Sequence, residues 1–77
     1  MAAIPVGPRS LEMLEAAGIT TLEELVELGE VEAFLRVKAA GYRPTLNFVY
    51  GLYAAIEGID WREIPTTERN RLRRAIE

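Results

Sequence analysis

A chain of 77 residues, 49% hydrophobic and 27% charged with a net charge of −3, reads as one ordered domain that hides only about 60% of the surface its unfolded form exposes. It contains neither cysteine nor histidine, which excludes disulfide frameworks, Cys/His zinc sites, Cys or His nucleophile pairs and the imidazole general base. No apolar run reaches the roughly 18–20 residues of a membrane span and the N-terminus lacks a basic, apolar leader pattern, so a soluble cytoplasmic protein is expected.

In chain order, Ile4 and Val6 flank Pro5, and Gly7 and Pro8 open a helix predicted over 8–17, with Leu11, Leu14 and Ala17 as its apolar stripe. Gly18 stops that helix and Ile19 enters the core. Thr20 and Thr21 each have a Glu three residues on, Glu23 or Glu24, which is the capping-box pattern for a second helix over 21–28 with Leu22, Leu25 and Val26 on its apolar face. A third helix over 30–40 follows Gly29, carrying Val31, Phe34 and Leu35 on one face and Arg36 and Lys38 near its C-terminal end, where positive charge suits the helix dipole. Gly41 closes it, and Tyr42, Arg43 and Pro44 make a short connection.

Thr45 caps a fourth helix over 45–57 whose apolar residues fall on nearly every side, the mark of a central helix covered by its neighbours. Gly51 inside it costs about 1 kcal/mol relative to Ala. Close approach of another helix at that point would compensate, and a large residue there is then expected to destabilise by about 1–3 kcal/mol. Gly58 ends the helix. Asp60 caps a single turn with Trp61 and Ile64 facing inward, and Thr66 or Thr67 caps a last helix over 66–76 anchored by Leu72 and Ile76. The fold class is all-α: residues 1–77 form a single compact five-helix domain with helix-hairpin-helix (SAM-like) character and no sheet.

The acids sit at caps and on polar faces without a clustered pair, so no catalytic residue, metal or cofactor is expected and an enzyme is the weakest reading. Two stretches are candidates for nucleic acid. Gly7, Arg9 and Ser10 stand where a hairpin would aim helix-start amides at a phosphate. Arg69, Arg71, Arg73 and Arg74 make the one basic cluster of the chain. Against the first, Pro8 has no N–H to donate, and residues 1–32 carry seven acids against one base, whereas 33–77 carry eight bases against five acids. A phosphate-binding element normally has the opposite balance. Against the second, no aromatic residue is interleaved and a solvated, dipole-compatible helix end explains it.

Three runs, 4–29 (IPVGPRSLEMLEAAGITTLEELVELG), 35–58 (LRVKAAGYRPTLNFVYGLYAAIEG) and the closing GIDWREIP at 58–65, together resemble the C-terminal domain of the TfoX/Sxy family of bacterial competence regulators. The resemblance implies a compact helical domain and a regulatory role in the expression of DNA-uptake genes, exerted with a transcription activator of the cyclic-AMP receptor type. The family supplies no catalytic residue. Its larger members carry this domain behind an N-terminal α/β domain, so both a free-standing form and a piece of a longer chain are compatible with the resemblance. The expected function is therefore a protein-interaction module in transcriptional control, with direct contact to the DNA backbone as the second reading.

Overall fold

In the computed structural model, which describes residues 3–77, the chain forms five helices and, among the described residues, no strand: α1 (Pro8–Ala16), α2 (Leu22–Leu28), α3 (Glu30–Ala39), α4 (Leu46–Glu57) and α5 (Thr66–Ile76), with a 3₁₀ turn at Trp61–Glu63 before α5. None of these helices is long and apolar enough to cross a membrane.

The helices begin and end for local reasons. Pro8 occupies the first position of α1, where its missing N–H leaves no bond unmade. At the other end Gly18 takes φ 82°, which lets its amide reach Glu15 O at 3.0 Å while the Ile19 amide reaches Leu14 O at 2.8 Å. Those bonds satisfy carbonyls the helix would otherwise leave open, and they turn the buried Ile19 side chain back toward the core. Thr21, not Thr20, caps α2: its hydroxyl accepts from the Glu24 amide at 3.2 Å while Glu24 Oε1 accepts from the Thr21 amide at 3.1 Å. Thr20 adds its amide and hydroxyl to the same carboxylate oxygen, at 3.1 and 2.8 Å. Thr45 caps α4 through the Phe48 amide.

The core sits where α3 and α4 pack on each other, with α2 and α5 against both and α1 against α3. Leu14, Ile19, Leu25, Val37, Val49, Leu52 and Leu72 are fully buried there. Several expectations need correction. Thr66 and Thr67 lie inside α5, because the Pro65 carbonyl already accepts the Arg69 amide at 3.0 Å and Pro65 itself stands at the cap with extended backbone. Val26 and Leu35 are exposed: the buried face of α3 is Ala33, Phe34 and Val37, from which Leu35 points away. On α1 the buried pair is Met13 and Leu14, so the face is rotated from the stripe through Leu11, which is half-buried. Ile64 is buried as expected, but Trp61 is 56% exposed. No helix packs on Gly51, where a Cβ would find no atom within 4 Å.

Hydrogen bonds from the Thr20 side chain, above all, and from both threonine amides hold the Glu24 carboxyl below its ordinary pKa. A carboxylate lowered in the fold stabilises above the ordinary carboxylate range and loses that contribution as pH falls through its folded value. Glu24→Gln is therefore expected to lower Tm at neutral pH, with the gap to the parent closing in acid; a gap that persists in acid would mean that the charged cap is not its source.

Candidate functional site

Asn47 and Gly51 lie one turn apart on the side of α4 away from Val49 and Leu52, with the buried Ala54, Ala55 and Phe48 beside them. Small residues there leave a groove. Trp61 stands on one side of it, and Pro5, Val6, Gly7 and Ser10 form the other. Beside Trp61 the groove includes an open space of about 300 Å³ lined by Asn47, Tyr50, Gly51 and Trp61. Toward the N-terminal end of α4 it continues past Asn47 to Arg9, Ser10, Arg43 and Thr45.

Trp61 is exposed, yet its backbone is fixed. The Asp60 carboxylate accepts the Arg62 amide at 2.9 Å while Glu63 Oε1 accepts the Asp60 amide at 3.1 Å, so the turn is capped at its start. Hydrogen bonds from the Arg62 side chain and amide lower the Asp60 pKa, and the guanidinium closes an ion pair at 3.3 Å. From α5, Arg69 donates to the Trp61 carbonyl at 3.0 Å and to the Ile64 carbonyl at 3.1 Å. Its guanidinium lies 5.4 Å from the Tyr50 ring centroid and 5.9 Å from that of Trp61, within cation–π range of both. The Tyr50 hydroxyl returns a bond to the Arg69 carbonyl at 3.4 Å. One arginine thus joins α4, the 3₁₀ turn and α5.

The basic cluster read from the sequence is dispersed by the fold. Arg69 is this clasp. Arg71 pairs with Glu30 at 3.0 Å and Glu68 at 2.9 Å, which raises its pKa, and lies 6.0 Å from the Tyr53 ring. Burial and the neighbouring Glu68 raise the Tyr53 pKa. Arg73 and Arg74 bond only to Asn70, its side chain and its carbonyl, and remain exposed. The hairpin residues fare differently. Gly7 is the extended cap of α1 and borders the groove together with Ser10. Arg9 meets Arg43 across the same depression, and neither has a carboxylate partner among the described residues. The sequence reading missed Arg43, Asn47, Tyr50 and the outward turn of Trp61. Its one available signal was Gly51, a mid-helix glycine whose cost marks an open face as readily as a crowded one. A second surface lies on α2, where Val26 is 51% exposed between Glu23 and Glu27.

No group of three or more Asp, Glu, Cys or His that could hold a metal ion occurs among the described residues. A family model, the TfoX C-terminal domain, matches residues 5–76. Two crystal structures are similar. One, of an uncharacterized protein from Listeria monocytogenes in a triclinic form, is 31% identical with a TM-score of 0.83, over 88% of this chain and 77% of that one. The other, of a protein of unknown function from the same organism in a tetragonal form, is 29% identical with a TM-score of 0.87, over 95% and 90%. No curated protein matches the chain significantly.

Two outcomes follow from this geometry. Gly51→Ala should raise stability by about 0.5–1 kcal/mol in thermal melts, since Ala gains helix propensity and meets nothing; an unchanged or lower Tm would restore the close-packing view. Arg69→Ala should cost about 1–3 kcal/mol by leaving the Ile64 carbonyl without its donor and the Trp61 carbonyl with the Ile64 amide alone, and should free Trp61 to rotate faster in time-resolved anisotropy. Arg69→Lys, which lacks the planar fork, should recover little of either.

Proposed function

The chain belongs to the TfoX C-terminal domain family, and from that premise we propose that it is a regulatory protein-interaction module, acting in the transcriptional control of DNA-uptake genes in the bacterial cytoplasm. The observation that carries this reading is the exposed Trp61 held on a fixed backbone beside an open groove. A large rigid aromatic of this kind supplies contact area at little ordering cost, which is why tryptophan is enriched among the residues that dominate protein interfaces. A transcription activator of the cyclic-AMP receptor type is the partner that the family resemblance suggests. The domain works by contact and carries out no reaction.

Direct binding to the DNA backbone through Gly7, Arg9 and Ser10 is the second reading, and the juxtaposition of Arg9 with Arg43 is what favours it. Three features weigh against it. Pro8 offers no amide, Glu12 and Glu15 follow on α1 as exposed acids, and the C-terminal arginines are divided between internal bonds and the far end of α5. A phosphate-gripping surface needs unopposed positive charge.

The reading is tested with a reporter fused to a DNA-uptake promoter in the native bacterium. Replacement of the chromosomal copy by the Trp61→Ala form should lower the response by about 30-fold, the factor that loss of an interface residue worth about 2 kcal/mol implies, with the variant still folded by circular dichroism. An unchanged response with the whole domain removed would refute the regulatory role. Steeply salt-dependent, micromolar binding of duplex DNA by the purified domain, lost in Arg9→Ala, would establish the second reading instead.

A further inference from the structure

The two ends of the α4 groove differ in chemistry. At one end Trp61 and Tyr50 border the open space over Gly51. At the other, Arg9 and Arg43 share a depression whose described lining holds no acid, and neither pairs with a carboxylate among the described residues. Asn47 joins the two, one turn of α4 from Gly51. We infer that this groove docks an acidic peptide segment of a partner protein, which seats one large apolar side chain beside Trp61 and lays Asp or Glu carboxylates against Arg9 and Arg43. The inference rests on the protein-interaction reading above and adds the partner's chemistry to it.

Charge complementarity selects this occupant. In a chain of net charge −3, Arg36, Arg62 and Arg71 are each paired with a carboxylate; of the cations without one among the described residues, Arg9 and Arg43 are those that border the groove. Unpaired cations at one end of an apolar groove favour a ligand whose negative charge is local, and they penalise a basic one. A nucleic-acid strand would also find an aromatic ring and cations here, but it brings a charge with every nucleotide, including next to Asp60 and Glu63 in the Trp61 turn, where the peptide presents an apolar side chain. The spacing is defined by α4: Thr45 to Gly51 rises roughly 9 Å at about 1.5 Å per residue. About three residues of extended peptide, or six of helix, cover that distance.

Random dodecapeptides displayed on phage, selected on the domain and depleted on Gly51→Leu, test the inference. Leu at position 51 extends into the open space from a helix that gains propensity, and Trp61→Ala serves as a second depletion target should that variant unfold. The recovered sequences are expected to share a large apolar residue with Asp or Glu about three to six positions away. A synthetic peptide of that consensus should move the emission of Trp61 to shorter wavelengths. The double reversal Arg9→Glu, Arg43→Glu should weaken its binding at least about tenfold and shift preference to the peptide with Lys in place of Glu. A basic or charge-indifferent consensus, or binding that survives both Gly51→Leu and Trp61→Ala, would overturn the proposal. So would emission that responds to oligothymidylate and not to peptide, which assigns the groove to nucleic acid, or concentration-dependent dimerisation that buries Trp61 without peptide, which assigns it to a second copy. Charge-blind docking alongside an intact reporter response sinks this inference alone; the opposite pair of results sinks the regulatory reading alone.

Discussion

Because α3 touches α1, α2, α4 and α5, the packing of α3 on α4 is the contact that every other element of this domain needs in place. A chain this short has one core and no disulfide to supplement it. Ala33 and Val37 present a narrow buried face on α3, and Val49 and Leu52 present one on α4, all fully removed from water. The small Ala33 and the β-branched Val37 and Val49 favour close packing of the two helices, while Leu52, Phe34 and Phe48 fill the core beside them. With that pair in place, α1, α2 and α5 each need only one apolar face.

This division of labour frees one side of α4. Its buried half holds the core together, and at Gly51 on the other side a Cβ would meet no atom within 4 Å. The arginines follow the same logic. Arg69 and Arg71 are internal fasteners, the first gripping two carbonyls and stacking on two rings, the second bridging Glu30 on α3 to Glu68 on its own helix. Arg9 and Arg43, far apart in sequence, border the end of the groove and, among the described residues, pair with no carboxylate. Count and clustering in the sequence therefore rank the basic residues in the wrong order: the dense C-terminal group is partly structural, and the scattered pair faces outward.

How much of this was legible from the chain depends on how local the cause is. Caps, glycine stops and the proline start act over four or five residues, and the elements they imply appear where they were read, apart from the start of α5, where Pro65 displaces the two threonines as cap. Rotation of a helix about its axis is less local. The stripe through Leu11 and Leu14 was off because Met13 also faces the core, and only the position of α3 decides between them. Trp61 was misread for a different reason. Hydrophobicity argues for burial, but the Asp60 cap and the Arg69 clasp fix the backbone of the turn so that Ile64 takes the inward position and Trp61 the outward one. Gly51 gave a true signal with an ambiguous sign. Its cost showed that something about that face mattered, and periodicity could not show whether the neighbour was a helix or a void.

Gly29 ends α2 and caps α3 at once, with φ 85° and ψ 162°. No linker residue separates the two helices, so their relative direction depends on the dihedral angles of one residue. The corner behaves as a keyed joint. One inserted residue would free that corner and shift α3 and all that follows it relative to α1 and α2, disturbing the packing of α2 on α3 and α4. Loops of such domains usually absorb changes in length; this junction has none to give.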